Sequence, residues 1–217
     1  MAYRIVLVHA TAVSLEPTRL AFLQAWPEAE TVNVLDDSLS VDLQRAGSQT
    51  PQIVNRIVTL ARYGLDIGAV AILYTCSAFG EAIAQAKTSV NLPILTPNEA
   101  MFEAAITSGS KVGLLATFGP SIPSLKTEFQ SMARRYGKAP QLTSVLVPEA
   151  MEALKSGDTA AHNRLLAAAA PQLSGCDTVM LAQFSTSLAF EEVSRVLQAR
   201  VLTSPHSAVS KLKSVLR

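Results

Sequence analysis

The two cysteines are the residues of this 217-residue chain best suited to covalent or proton-transfer chemistry. Cys76 lies in the segment Tyr74-Thr75-Cys76-Ser77-Ala78-Phe79-Gly80, after a predicted strand and before a predicted helix. A thiol at the start of a helix lies close to backbone N–H groups, which lower its pKa and favour the thiolate. A thiolate can remove a proton next to a carboxylate or attack carbon. We therefore expect Cys76 to be functional, with a buried, inert cysteine as the alternative.

The second cysteine, Cys176, precedes a predicted strand instead of following one. This position is the end of the sheet opposite to the predicted site, so the expected role of Cys176 is structural. Neither cysteine has a second ligand at the spacing of a metal site, and no metal is expected.

Hydroxyl side chains follow several of the predicted strands. Together with backbone N–H groups at helix starts, they suit a substrate carboxylate without a need for arginine. The alternative for each of them is helix capping, which serine and threonine often perform. The predicted carboxylate-binding hydroxyls are Thr11, Thr75, Ser77, Thr117, Ser185 and Thr186.

Two of the three histidines, His9 and His206, also follow predicted strands. A histidine there can carry a proton, contact the substrate or simply pack in the core, and the sequence leaves these roles open. His162 is expected on a helix among polar residues. Asp36 and Asp37 are expected to be solvated or capping residues, with contact to a substrate amino group as the alternative.

The elements that must position these residues alternate between strands and helices along the chain. Short apolar runs such as Ile5–His9 and Ala69–Thr75 predict buried strands of a parallel sheet. A helix is predicted to begin at Pro51 and to end at Gly64, and Asp36–Ser38 is predicted to be a loop. This alternation predicts an α/β fold.

The two halves of the chain are similar in sequence. Ala71–Cys76 aligns with Thr178–Gln183 at an offset of 107 residues, and Ala10-Thr11 aligns with Ala116-Thr117 at an offset of 106. Unrelated α/β strands can also show similar apolar runs, but the matched polar residues at the strand ends favour a duplication.

A duplication predicts two small doubly wound parallel-sheet lobes related by a pseudo-twofold axis. The expected lobes are residues 1–97 plus 206–217, and residues 98–205. Ligands of such sheets bind outside the carboxyl ends of the strands, so the active site is expected in a cleft between the lobes.

Composition excludes several classes of protein. Lys+Arg 18 against Asp+Glu 17 gives a formal charge of +1, so no nucleic-acid partner is expected. The 49% hydrophobic content excludes a disordered chain, and two cysteines exclude a disulfide scaffold. No apolar run suits a membrane span or a signal peptide, so no membrane partner and a cytoplasmic location are expected. Charged residues at 16% and a mean hydropathy of +0.28 favour a homo-oligomer.

Over its whole length, the chain resembles the aspartate/glutamate racemase superfamily. That superfamily includes aspartate, glutamate and hydantoin racemases, maleate cis–trans isomerase and arylmalonate decarboxylase. The resemblance rests on the duplicated halves and on four motifs, which are Leu73–Gly80, Asn98–Met101, Gly113–Thr117 and Leu181–Ser185.

The resemblance implies a reaction without cofactor or pyridoxal phosphate, in which two cysteines act on opposite faces of the substrate. It carries over Cys76 as the first of these, with Thr75, Ser77 and Thr117 as ligands of substrate carboxylates. Gln183 stands where the second cysteine is found in the family, and a neutral amide does not transfer protons near pH 7. Gln183 is therefore expected to orient the substrate or bind its carboxylate.

The sequence thus predicts a cofactor-independent racemase- or isomerase-type enzyme acting on a small carboxylate, an amino acid or related diacid. Cys76 would be its base or nucleophile, and Ser185 and His206 are the candidate substitutes for the missing thiol. One alternative is a single-thiol lyase or decarboxylase of the same superfamily. The other is a non-catalytic protein that binds a carboxylate.

Overall fold

The computed structural model describes residues 3–217, which divide into two compact units. Unit 1 comprises Met1–Pro97 and Ala208–Arg217, and unit 2 comprises Asn98–Ser207. Each unit is built on a four-stranded parallel sheet, which confirms the predicted α/β class. No helix in the described part of the chain is both long and apolar enough to span a membrane.

The sheet of unit 1 has the strand order β2-β1-β3-β4. Val8 pairs with Tyr74 and His9 pairs with Leu35, so the three longer strands end at the same edge. The strands are β1 (Arg4–His9), β2 (Glu30–Leu35), β3 (Ala71–Tyr74) and β4 (Ile94–Leu95). The helices are α1 (Leu15–Ala25), α2 (Ser38–Ala46), α3 (Pro51–Asp66), α4 (Gly80–Ser89) and the part of α10 (Ser204–Leu216) from Ala208 onwards.

Alternate residues of β1 and β3 form the core of unit 1. Val6, Val8, Ile72 and Tyr74 point to one face of the sheet, where they join buried residues of α2, α3 and α4. This alternation follows from the two-residue period of a strand. The Tyr74 hydroxyl donates a hydrogen bond of 2.7 Å to the Ile57 carbonyl, which ties β3 to α3.

The structure corrects two local predictions for unit 1, one at the end of α3 and one at Ser38. Gly64 does not end α3, which continues to Asp66. A Cβ atom at Gly64 would lie 3.0 Å from the Ile72 side chain, so glycine there allows α3 to lie close to β3. Asp36 and Asp37 lie in the predicted loop, but Ser38 already begins α2, a helix that the sequence does not predict. The Ser40 hydroxyl holds this helix by donating to the Ala10 carbonyl at 2.7 Å.

Unit 2 has the corresponding strand order β6-β5-β7-β8. Helices α5 and α6 pack on one face of its sheet, and α7, α8 and α9 pack on the other. The strands are β5 (Lys111–Ala116), β6 (Gln141–Leu146), β7 (Thr178–Leu181) and β8 (Arg200–Thr203). The helices are α5 (Glu99–Ser108), α6 (Ile122–Arg135), α7 (Pro148–Lys155), α8 (Thr159–Ala169) and α9 (Phe190–Val196).

Strand register in the two sheets corrects one part of the predicted alignment. Ile5 pairs with Ala71 in unit 1, and Val112 pairs with Thr178 in unit 2, so the offset is 107 in both strands. The offset of 106 predicted for the loop after β1 is therefore wrong by one residue. By register Ser14 corresponds to Ser121, whereas Thr11 corresponds to Phe118 and not to Thr117.

Candidate active site

Cys76 lies just beyond the carboxyl end of β3, where the sequence predicts it. Its backbone is extended, and a 3₁₀ turn at Ser77–Phe79 separates it from α4. The side chain packs against the apolar core of unit 1. This burial raises the pKa of the Cys76 thiol above its ordinary value near 9.0, and a hydrogen bond with the Ala78 backbone only partly opposes the rise. The expected depressed pKa is therefore wrong.

Thr75, which precedes the cysteine, is 6% exposed, and its hydroxyl lies within an internal network. The Thr75 Oγ1 atom is 3.0 Å from the His9 Nδ1 atom, 3.0 Å from the Ser14 Oγ atom and 3.3 Å from the Val8 carbonyl oxygen. The hydroxyl that was expected to bind a substrate carboxylate is thus surrounded by partners from its own unit.

His9 is fully buried at the end of β1, with partners at both ring nitrogens. The Nδ1 atom is 2.8 Å from the Ser14 Oγ atom, and the Nε2 atom is 3.0 Å from the Asn33 Oδ1 atom. Burial lowers the pKa of His9, although the bond to Asn33 opposes this, so the ring is neutral near pH 7. Of the roles left open by the sequence, internal packing is the one that fits this environment.

Two other predicted carboxylate ligands of unit 1 are more accessible. Thr11 and Ser77 are both partly exposed. The Thr11 side chain caps no helix, and its carbonyl accepts a hydrogen bond of 2.9 Å from the Ser14 hydroxyl. Unlike Thr75, these two residues therefore have solvent-accessible surface.

Gln183 follows β7 at the position that corresponds by register to Cys76. Its Oε1 atom accepts hydrogen bonds from the Thr117 backbone N–H at 3.0 Å and from the Thr117 hydroxyl at 3.3 Å. Its Nε2 atom donates to the Ser121 Oγ atom at 3.0 Å. The amide therefore joins the loop after β5 to the loop after β7, a role that the sequence does not predict.

The two hydroxyls after Gln183 are buried. Thr186 is fully buried, and its hydroxyl donates to the Gln183 carbonyl at 2.6 Å and accepts from the Gln183 backbone N–H at 3.2 Å. Ser185 is 3% exposed in the 3₁₀ turn Ser185–Ala189. The Thr186 hydroxyl thus stabilises the turn after β7, although it does not cap a helix.

The remaining histidines lie in unit 2. The His206 Nδ1 atom is 2.8 Å from the Thr203 hydroxyl, and its ring lies 6.0 Å from that of Phe190. The expectation of a polar helix face for His162 is wrong, because this residue is fully buried and its Nδ1 atom is 2.8 Å from the Asn163 Oδ1 atom. Burial lowers the pKa of both rings.

Asp36 is an ion-pair partner in unit 1 and not a freely solvated residue. Its carboxylate lies 2.5 Å from Arg56, which also binds Asp42 at 2.7 Å. Burial alone would raise the pKa of Asp36, but hydrogen bonds from Ser38 and Arg56 lower it below its usual value. Asp37 is exposed and lies before α2 without a side-chain capping bond.

Cys176 precedes β7, at the edge of the unit 2 sheet opposite to Gln183. It packs against the apolar cluster of that face, and burial, together with the Asp177 carboxylate, raises its pKa. Among residues 3–217 no group of three or more His, Cys, Asp or Glu side chains could hold a metal ion.

Sequence reasoning missed three residues of these networks, Ser14, Asn33 and Ser121. Ser14 and Ser121 share a signal, since each lies 107 residues from the other and precedes a helix that begins at the next residue. Each donates to the carbonyl three residues before it, at 2.9 Å for Ser14 and 2.8 Å for Ser121. The sequence contains no comparable signal for Asn33.

A family model described as Asp/Glu/Hydantoin racemase matches residues 18–212. The chain belongs to the Asp/Glu/Hydantoin racemase family. This membership confirms the resemblance and indicates a racemase-type enzyme. No curated protein matches the sequence.

Solved structures of racemases share the fold of this family member. Picrophilus torridus aspartate racemase is 14% identical, with a TM-score of 0.74 over 99% of this chain and 94% of that one. An aspartate racemase homologue from Pyrococcus horikoshii is 16% identical, with a TM-score of 0.73 over 98% of both chains. Allantoin racemase from Klebsiella pneumoniae is 15% identical, with a TM-score of 0.68 over 99% of this chain and 88% of that one.

Proposed function

We propose that this chain is a cofactor-independent racemase- or isomerase-type enzyme that acts on a small carboxylate with Cys76 as its base or nucleophile. The observation that carries the proposal is the position of Cys76 in a member of a racemase family. The thiol follows the carboxyl end of a central strand, which is the edge where α/β sheets bind ligands. Thr11 and Ser77 are the accessible hydroxyls proposed to bind the substrate carboxylate.

The raised pKa of Cys76 has a consequence for the chemistry. The resting side chain is a neutral thiol, and its ionisation costs free energy because the sulfur is desolvated. Once formed, such a thiolate is a strong base, which suits the removal of a weakly acidic proton next to a carboxylate. The Ala78 backbone contact stabilises the anion. Activity should therefore increase with pH through the alkaline range.

Gln183 is proposed to be a positioning residue and not a proton donor. Its amide is engaged by Thr117 and Ser121, and it has no ionisation near neutral pH. This observation favours a second candidate reaction, a single-thiol lyase or decarboxylase, in which no proton needs to be delivered from a second cysteine.

The test is a comparison of Cys76→Ala with Cys176→Ala against a panel of amino acids and small dicarboxylates in deuterated water. Cys76→Ala should abolish turnover, whereas Cys176→Ala should retain it, because Cys176 lies at the opposite edge of its sheet. Deuterium at the α-carbon with loss of optical rotation indicates racemisation. Release of carbon dioxide or a changed skeleton indicates the lyase. Turnover by Cys76→Ala contradicts the proposal.

The raised pKa of Cys76 also agrees with a third candidate, a non-catalytic carboxylate-binding protein, which needs no thiolate. Calorimetry with the same panel separates this candidate from an enzyme. Binding that is equally tight in Cys76→Ala, with no turnover by the parent protein, would support it.

A further inference from the structure

We propose that His9 is a positioning residue, which holds Thr75 and thereby the adjacent Cys76 thiol in a fixed orientation. The catalytic meaning of this inference rests on the proposed function. The contacts of His9 that carry it all lie within unit 1, and the orientation of the Cys76 thiol can be tested directly.

His9 connects three separate parts of the unit. Its ring contacts Asn33 on β2, Ser14 at the start of α1, and Thr75 after β3, at distances between 2.8 and 3.0 Å. Ser14 and Thr75 are 5% and 6% exposed, and His9 is not exposed at all. Asn33 is exposed, so the buried part of the network is His9 with Ser14 and Thr75. This part is rigid, because the loss of one partner leaves another buried polar group unsatisfied.

The proton positions follow from the partners. The Nε2 atom faces the Asn33 Oδ1 atom, which can only accept, so Nε2 carries the ring proton. The Nδ1 atom is then an acceptor. Because the single hydroxyl proton of Ser14 goes to the Thr11 carbonyl, the Thr75 hydroxyl is the donor that faces Nδ1. A neutral ring with one donor and one acceptor matches this environment.

The corresponding site in unit 2 shows why this residue is needed. There Ser121, the counterpart of Ser14, accepts a hydrogen bond from Gln183. Gln183 occupies the register position of the cysteine, so the side chain after β7 itself holds the serine turn in place.

In unit 1 that position is Cys76, whose thiol is a poor hydrogen-bonding group. His9 and Thr75 supply the link to Ser14 instead. The register counterpart of His9 in unit 2 is Ala116, which has no polar side chain. At this register position a histidine is thus found only in unit 1, the unit in which a cysteine follows the central strand.

Two substitutions distinguish the roles of the two ring nitrogens of His9. His9→Asn places an amide oxygen near the Nδ1 position and preserves the acceptor for the Thr75 hydroxyl. His9→Gln reaches the Nε2 position and preserves only the contact with Asn33. Both are made in a Cys176→Ser background, so that Cys76 is the only thiol.

The measurement is the second-order rate of Cys76 alkylation by iodoacetamide between pH 7 and 10, together with the melting temperature of each variant. We expect His9→Asn to react at close to the parental rate. His9→Gln should react about fivefold faster, which corresponds to one lost net hydrogen bond of ~1 kcal/mol, because the segment with the partly buried thiol opens more readily. For the same reason, kcat should fall in His9→Gln more than KM changes.

Equal alkylation rates in the two variants, or rates that merely follow their melting temperatures, would overturn the proposal. If His9→Gln does not fold, Thr75→Val against Thr75→Ser makes the same comparison from the other side of the hydrogen bond, and only the valine variant should react faster. The alkylation measurement uses no substrate. It therefore stands even if Cys76→Ala retains turnover and the proposed function fails.

Discussion

Replacement of Gln183 by methionine tests whether this residue is a structural link in unit 2. Methionine has a similar length and volume but offers no acceptor to the Thr117 N–H group and no donor to Ser121. Thr117 is 2% exposed, so its backbone N–H group would lose its partner in a site that water does not readily reach.

The expected cost follows from these bonds. A buried backbone donor left without a partner costs about 1–3 kcal/mol, and the neutral bond to Ser121 contributes about 0.5–1.5 kcal/mol. The Thr117 hydroxyl can rotate to another acceptor and adds little. A loss of about 2–4 kcal/mol lowers the melting temperature of a protein of this size by roughly 4–16 °C.

Two assays report this loss. Thermal unfolding gives the global change, and hydrogen exchange of the Thr117 amide gives the local one. A local loss of ~2 kcal/mol corresponds to about thirtyfold weaker protection. Gln183→Glu retains an acceptor for Thr117 and should lose less stability. Gln198→Met, at an exposed glutamine, is the matched control.

If Gln183→Met melts within a degree of the parent and the Thr117 amide remains equally protected, the amide is not a structural link. A contribution to substrate binding would then be the better explanation of Gln183.

Three further predictions follow from burial and packing. Because burial raises the pKa of Cys76 above 9.0, kcat/KM should rise about tenfold per pH unit from pH 7 to 9, and a plateau at neutral pH would contradict this. Burial lowers the folded pKa of the three histidines from 6.5, so their contribution to stability is fully present above that pH. Chemical denaturation should show the free energy of unfolding decreasing as the pH falls towards 5. A flat profile would contradict this. Gly109→Ala would place a Cβ atom 2.6 Å from the Asp177 Cβ atom and should lower the free energy of unfolding by about 1–3 kcal/mol. Gly175→Ala is the control, because its Cβ atom would meet nothing within 4 Å and should be close to neutral. Equal melting temperatures would contradict this.

The sequence predicts those features that depend on neighbouring residues. The apolar run Ile5–His9 lies within strand β1, and the helix predicted to begin at Pro51 begins at that residue. The place of Cys76 after β3 was equally predictable, because an apolar strand followed by a polar segment is a local pattern. The racemase family resemblance rests on such local motifs as well.

Features that depend on packing were not predictable in the same way. Helix α2 begins in a segment of loop-like composition, and it is held by a bond between residues 30 positions apart. His162 has polar neighbours in sequence, yet it is buried, because burial depends on which helix face meets the sheet.

By itself, the sequence determined the α/β class, the family and the presence of one thiol at the carboxyl end of a central strand. Only the tertiary structure decided how that thiol and its counterpart Gln183 are held. The contacts of Thr75 with His9 and of Gln183 with Thr117 each join residues 66 positions apart. Such distances carry no periodic signal, and the desolvation that raises the pKa of Cys76 exists only when the apolar core has formed around it.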